Sequence, residues 1–317
     1  MTCYSCQSVC KRFGRHRNGL QRFRCNQCLK TFTEDHEKPL DEMRLATGRA
    51  VSVLQLLLEG MSVRSVERVT GIHRDTILKL LLLAGERCQR LLYERIHNVE
   101  VQDVEVDEIW GYVFKKEGHK WDHEQENQRI GDCYCFIAME RSTKLVLTYY
   151  VGKRTAESTD QFISRLALAT NATRRYQITS DGWRPYVPAV KSFLRGRVDF
   201  AQLVKVYAAN REGEQRYSPA EVVDAVPVKI MGNPDSDRIC TSYIERQNLS
   251  IRMGMRRMTR LTNAFSKKWE NLEAAYALWF AYYNFCRRHQ TLRVTPAMEQ
   301  GLTDHQWSVR ELLQGGM

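Results

Sequence analysis

No apolar run in this 317-residue sequence approaches the roughly 20 residues that cross a bilayer. The longest, Ile77 to Ala84, is interrupted by Lys79. A multi-span membrane protein is therefore excluded. The N-terminus, MTCYSCQSVCKRFGR, carries no apolar core of the kind a secretory signal needs, so a cytoplasmic protein is expected. Core-forming residues are not scarce: 43% are hydrophobic and 27% charged, which excludes a wholly disordered chain. Acidic residues are in deficit. Lys and Arg number 48 against 37 Asp and Glu, a net charge of +11. A balance of this kind favours nucleic-acid partners, because phosphate contacts release counterions. The length exceeds what one core holds and suggests two or three domains.

Ten cysteines in a cytoplasmic chain argue for metal over disulfides. Five fall within the first 28 residues. Cys3-x-x-Cys6 and Cys25-x-x-Cys28 form two knuckles, and a two-residue gap lets both thiolates of a knuckle face one ion. The spacing predicts a zinc ribbon over residues 1–40, with Cys10 or His16 as weaker alternative ligands. So short a segment buries little apolar surface, so the ion supplies folding energy. Gly19 to Cys25 reads as a hairpin arm, and Arg15, Arg17, Arg22 and Arg24 make it basic.

Residues 41–98 change to helical periodicity. Ala46, Ala50, Val53, Leu54 and Leu57 mark one amphipathic helix. Ser62 suits an N-cap, Val63, Val66 and Val69 share a face, and Gly71 supplies a tight turn before Ile72. Ile77 with Leu80 or Leu81 gives the next helix a buried face. This is the pattern of a helix-turn-helix whose second helix offers His73, Arg74, Asp75, Thr76 and Lys79 to a DNA groove. An ordinary helical hairpin is the plainer alternative.

From residue 99 the pattern becomes α/β. Val101 to Trp110 alternates as a strand, with Asp103, Glu105 and Asp107 on one face. Strands follow at Gly131 to Glu140, at Leu145 to Val151, from Tyr176 to an end at Asp181 and Gly182, and at Phe200 to Tyr207. Helices are expected from Thr155 to Thr170, capped near Ser158 with Phe162, Ile163, Leu166 and Leu168 buried, and over residues 186–196. Ala208 to Ser242 reads as a long polar stretch, followed by a basic helix from Tyr243 and an aromatic helix from Trp269 to Arg287. The order gives a mixed sheet with flanking helices. Asp107 within the first strand, Asp181 at the end of the fourth and Glu245 at a helix start can converge on a pair of hard cations, for which Mg²⁺ or Mn²⁺ is suited. Glu108 is set aside because it points to the opposite face from Asp107; Asp235 and Asp237 lie in a loop. Glu245, Asn248 or Leu249, Arg252 and Arg256 form one helical stripe. His289, after Arg287 and Arg288, stands either near DNA or as a residue ordering its turn. His119, Asp122 and His123 fall in a polar loop, and Cys133 and Cys135 read as core.

Several motifs together resemble the DDE transposases of the insertion-sequence IS1 group and their relatives. They are Val106-Asp-Glu-Ile-Trp110, Thr179-Ser-Asp-Gly-Trp183, Tyr243-Ile-Glu-Arg-Gln-Asn-Leu249, the basic run from Arg252 to Arg260, Phe265-Ser-Lys-Lys268, and Tyr283 to Leu292 with Thr295-Pro. The resemblance covers nearly the whole chain and rests on order and spacing. It implies a multidomain α+β protein: zinc ribbon over 1–40, helix-turn-helix over 41–98, RNase H-like catalytic domain with a mixed sheet over 99–292, and a C-terminal tail over 293–317. It implies Asp107, Asp181 and Glu245 as ligands of two catalytic Mg²⁺ or Mn²⁺ ions, beside a structural zinc on Cys3, Cys6, Cys25 and Cys28. Arg74, Thr76, Lys79, Arg252, Arg256, Arg257, Arg260, Lys267 and His289 are the expected DNA contacts. The implied activity is cleavage at the inverted repeats of a mobile element and strand transfer to target DNA by a nucleoid-associated homodimer or larger assembly in a prokaryote. A transposase-derived DNA-binding regulator without catalysis and an RNase H-like nuclease are the alternatives.

Overall fold

The computed structural model describes residues 1–16, 19–34, 40, 43–207 and 222–315. The chain divides into two units, Met1–Arg44 and Leu45–Met317.

The first unit is a three-stranded antiparallel sheet: β1 (Cys10–Arg15), β2 (Gln21–Cys25) and β3 (Thr31–Thr33), in that order. Its apolar packing is slight. Phe23 stacks on Phe32 with centroids 6.1 Å apart, and Tyr4 meets Phe32 edge-on. Among the described residues here, the buried hydrophobic side chains are Cys3, Cys25 and Leu40. The cysteine turns therefore hold this unit more than a core does. Arg22 and Arg24 both lie over the Phe13 ring, while Arg17 falls outside the described residues.

The second unit opens with α1 (Thr47–Leu58), α2 (Val63–Thr70) and α3 (Arg74–Arg95). Ser62 caps α2 by accepting the Ser65 N–H at 3.1 Å. Gly71 ends α2 at φ 67°, left-handed backbone that a side chain would strain. Val66, Ile77, Leu80 and Leu81 are buried, but Val69 is exposed, so the buried face of α2 is narrower than its three valines suggest.

A six-stranded mixed sheet follows, in the order β6-β5-β4-β7-β8-β9. The strands are β4 (Asp103–Val113), β5 (Gly131–Glu140), β6 (Val146–Gly152), β7 (Tyr176–Ser180), β8 (Val198–Tyr207) and β9 (Val222–Met231). β7 runs parallel to both β4 and β8; the other pairings are antiparallel. β9 lies inside the stretch that reads as polar, Ala208 to Ser242; residues 208–221 of it fall outside the described residues. Its alternation was hidden by consecutive valines and Pro227, and its side chains from Val222 to Lys229 are exposed.

Helices cover both faces. α4 (Ala156–Ala169) sets Phe162 against Phe136, and α7 (Trp269–Ala281) sets Phe280 against Tyr149. Phe136 and Tyr149 point to opposite faces, since Tyr149 pairs with Ile137. Thr155, and not the Ser158 region, caps α4 by accepting the Ser158 N–H, and Leu168 is exposed. α5 (Tyr186–Phe193) follows β7, and α6 (Ser242–Gly254) follows β9. The expected aromatic helix changes to a π-helical turn over Tyr282–Cys286.

Two expected boundaries do not separate units. α3 packs along α7 so closely that a Cβ at Gly85 would sit 2.5 Å from Ala274, and this joins the 41–98 helices to the sheet. The 293–317 segment is no loose tail: it contains α8 (Pro296–Glu299) and α9 (Val309–Gln314), with Leu312 and Leu313 buried and Trp307 against Phe285. No described helix is long and apolar enough to cross a membrane.

Candidate active site

Strand register places the first acid. β7 pairs with β4 only from Asp103↔Gln177 to Val106↔Ser180, whereas β4 continues to Val113 along β5. Asp107 and Asp181 are the next residues on each strand, so they stand where the two parallel strands part. Oxygens of Asp107, Glu108 and Asp181 all lie within 4.8 Å of one another. The cluster corrects the expectation for Glu108. Strand alternation does put it on the opposite face from Asp107, but β7 has ended there, so on that edge of β4 no ladder separates the two carboxylates.

Hydrogen bonds fix each carboxylate. Asp107 Oδ1 accepts the Glu108 N–H and Oδ2 accepts from Asn248 Nδ2, each at 2.8 Å. Glu108 Oε1 accepts from Arg154 Nε at 2.7 Å, and Oε2 accepts from the Tyr186 hydroxyl at 3.0 Å. Asp181 Oδ1 accepts the Trp183 N–H at 3.0 Å. Arg154 reaches from Glu108 to Asp181, Nη2 lying 2.6 and 3.6 Å from their carboxylates, and its guanidinium stacks over Trp183 at 4.2 Å. Spacing in sequence gave no sign of Arg154 or Tyr186, because each comes from a different element; it put Asn248 or Leu249 on the Glu245 stripe, and the structure selects Asn248 as the partner of Asp107.

The electrostatics are those of crowded like charges. Burial first, then the charges of Glu108, Asp181 and Glu245, hold Asp107 up to about 8. Burial and Asp181 hold Glu108 up to about 7. Burial also raises Asp181, against the pull of the Trp183 N–H and Arg154. Three hard oxygen donors whose ionised forms repel one another suit a divalent cation, which would favour the charged state of all three.

Glu245 stands on the first turn of α6, outside that close group. Its Oε1 is 2.5 Å from Lys205 Nζ and accepts from the Thr241 hydroxyl at 2.6 Å. α6 is fastened to β4 at two points. Asn248 reaches Asp107, and buried Glu105 accepts the N–H groups of Tyr243 and Ile244 at 2.9 and 3.0 Å. Glu105 thus caps the helix that carries Glu245, and burial raises its pKa in spite of those two bonds.

The expected DNA contacts divide. Arg74 and Lys79 are exposed on the first turns of α3, with Thr76 half-buried beside them. Arg256, Arg260 and Lys267 are exposed as well. Arg252 and Arg257 are engaged within the protein. Arg252 donates to the carbonyls of Met258 and Trp110. Arg257 donates to Ser266 Oγ and the Asn271 carbonyl, and burial lowers its pKa to about 10. Both guanidiniums bind the protein's own backbone. The helical stripe also stops short, because α6 ends at Gly254 and Arg256 lies in a separate short turn. His289 is half-buried. Its N–H donates to the Val294 carbonyl, and its own carbonyl accepts from Arg293, which orders the turn. Burial lowers its pKa, and Nδ1 is enclosed without a hydrogen-bond partner.

In the first unit the sulfurs of Cys3, Cys6, Cys25 and Cys28 lie within 4.8 Å of one another. Cys3 and Cys28 are 3.5 Å apart, Cys6 and Cys25 3.4 Å. Backbone N–H groups of Ser5, Gln27 and Cys28 donate to Cys3 and Cys25, and the bonds from Cys28 and Gln27 lower the pKa of Cys25. Four soft donors closed around one point fit a structural zinc. Cys10 instead donates to the Ser8 carbonyl, and His16 is not part of the four. His119, Asp122 and His123 lie in a loop with short 3₁₀ turns at Glu117–His119 and Asp122–Glu124. Lys115–Glu124 and Lys120–Glu117 ion pairs brace it.

No family model matches the chain, and no curated protein matches it. Among solved structures it is similar to a piggyBac transposase synaptic complex with hairpin DNA, at 11% identity and TM-score 0.37, covering 86% of this chain and 72% of that one. It is also similar to a pre-cleavage Mos1 transpososome, at 13% identity and TM-score 0.22. A Mos1 transposase paired-end complex with left transposon end gives 12% and 0.19. Each Mos1 match covers 54% of this chain and 62% of the other, so the chain spans about three-fifths of their length. Likeness this distant transfers no residue role.

Proposed function

We propose that the chain is a metal-dependent DNA transposase. It would bind the inverted repeats of an insertion sequence, hydrolyse the DNA backbone at the element's ends and join the freed 3′-hydroxyl to target DNA. The observation that carries this reading is the meeting of Asp107, Glu108 and Asp181 at the parting of β4 and β7, with the Glu245 helix fastened to the same strand. The basic charge, the helix pair with Arg74, Thr76 and Lys79 on its second member, and the four-cysteine unit support DNA as the substrate.

Asp107 and Asp181 would hold the catalytic Mg²⁺ or Mn²⁺, with Glu245 as the third ligand and Glu108 as a near neighbour. Such ions lower the pKa of bound water and neutralise charge that develops on a phosphate, and two of them can serve both the attacking and leaving oxygens. The chain's own residues position these groups. Asn248 orients Asp107, Trp183 orients Asp181, and Arg154 draws Glu108 and Asp181 to one side. Lys205 occupies Glu245 while no cation competes for it. The exposed Arg256, Arg260 and Lys267 would contact phosphates. Water and then the 3′-hydroxyl are the nucleophiles, so no covalent protein–DNA bond is needed. The Cys3, Cys6, Cys25 and Cys28 unit would be a zinc ribbon on the element's end, and joining two ends to one target calls for a dimer or larger assembly.

The test is strand cleavage. The protein and its Asp181→Ala variant are incubated with labelled duplex carrying the element's ends and Mg²⁺ or Mn²⁺. Cleavage that leaves a 3′-hydroxyl and disappears in the variant is expected. Tight binding without cleavage in either cation would replace this reading with that of a DNA-binding regulator.

A further inference from the structure

A cavity of about 880 Å³ opens between the α1–α3 helices and the segment joining α6 to α7. It lies away from the acidic cluster, none of whose residues lines it. Its lining separates by exposure. Leu81, Leu278 and Trp279 are buried and form an apolar floor. Arg64, Arg74, Arg256 and Lys267 are exposed at its rim, with Asp75 the single acid among the lining residues. A recessed apolar floor behind four cations and one anion selects a ligand with a flat apolar body and more than one negative charge. The volume falls within the ordinary range for a ligand pocket, roughly 300–1,000 Å³.

A lipid tail would leave the rim cations without anions. A nucleobase has apolar ring faces and is carried on an anionic backbone. Three of the rim cations, Arg74, Arg256 and Lys267, are among the expected DNA contacts, and α2 adds Arg64.

We infer that this cavity receives one nucleotide turned out of a DNA strand, its base on the apolar floor and its flanking phosphates on the rim cations. An unpaired nucleotide fits where a paired one does not, because the floor lies behind the cations and a stacked base cannot leave its helix to reach it. The inference rests on the reading of the protein as a DNA enzyme and names a recognition step additional to the acidic site.

The experiment uses the zinc-loaded full chain, without Mg²⁺, and measures anisotropy of a labelled, fully paired duplex against the same duplex with a central bubble of unpaired bases. Extruding a base costs a few kcal/mol, so a probe already open should bind roughly tenfold tighter or more. Leu78→Trp fills the cavity from the half-buried face of α3, and Met61→Trp fills it from the turn between α1 and α2. Each should erase the preference for the bubble while binding of paired duplex persists. Equal affinity for bubble and paired duplex would overturn the inference and leave the DNA-enzyme reading standing. No binding of either probe would overturn both. Saturable binding of free dAMP that both tryptophan variants abolish, without a preference for the bubble, would assign the cavity to a free nucleotide instead.

Discussion

Removing one charge from the acidic cluster should stabilise the cation-free protein while destroying its response to cations. The perturbation is Asp107→Asn. In the native protein burial and the neighbouring charges of Glu108, Asp181 and Glu245 raise Asp107 from 3.8 to about 8. The folded state therefore holds a proton that the unfolded chain releases near pH 4. A raised carboxyl favours folding fully below its unfolded pKa, and that contribution is lost as pH climbs through the folded pKa. Stability of the ion-free protein should thus decline between pH 4 and 8. At about 1.4 kcal/mol per unit, the elevation corresponds to about 6 kcal/mol at full ionisation, an upper bound shared among the interacting acids. Even a third of it shifts the melting temperature by several degrees in a chain of this length.

Asp107→Asn removes that slope. Its amide oxygen can still accept the Glu108 N–H, and its new NH₂ can donate to Asn248 Oδ1, which has no partner in the native protein, once Asn248 turns its amide over. A cation at about one hundred times its Kd stabilises by about 2.7 kcal/mol, so saturating Mn²⁺ should raise the native melting temperature and leave the variant unmoved. Scanning fluorimetry of zinc-loaded protein from pH 5 to pH 9, with and without Mn²⁺, reads both effects. An unchanged pH slope in the variant, or an equal Mn²⁺ shift in both proteins, would refute the argument.

Further outcomes follow from particular contacts. Glu105→Ala leaves the Tyr243 and Ile244 N–H groups uncapped, and loss of a buried, hydrogen-bonded carboxylate costs about 1–3 kcal/mol; cleavage should fall well below native while Glu105→Gln, which keeps an acceptor, retains much of it. Gly85→Ala forces a methyl to 2.5 Å from Ala274, so the urea midpoint should drop by the equivalent of about 1–3 kcal/mol, without loss of zinc. Cys25→Ser should release zinc to a chromogenic chelator and unfold the first unit, seen as proteolysis within Met1–Arg44 while Leu45–Met317 resists. Arg257→Ala should lower stability more than DNA affinity, whereas Arg256→Ala should do the reverse, by denaturant melts and by anisotropy on one DNA.

Local chemistry carried much of this architecture in the residues themselves. The knuckle spacing brings the four sulfurs together because a two-residue turn has few conformations. Ser62 and Gly71 bound α2 through their own backbone preferences, and alternation marked β4 and β5. Asp107 and Asp181 were legible because one falls within, and the other at the end of, a strand whose pattern is regular. What no local pattern carries is where a neighbouring strand stops. β7 ends at Ser180, and that alone lets Glu108 join Asp107 in spite of alternation. Whether an arginine faces solvent or a buried carbonyl is likewise set by distant partners: Arg257 is claimed by Asn271, and Arg256, its neighbour, is not. The 41–98 helices and the 293–317 segment read as separate pieces because their faces are ordinary amphipathic faces; only the close approach of Gly85 to Ala274, and the burial of Leu312 and Leu313, joins them to one core. Sequence sets which side chains can act, and long-range packing sets which of them share a point in space.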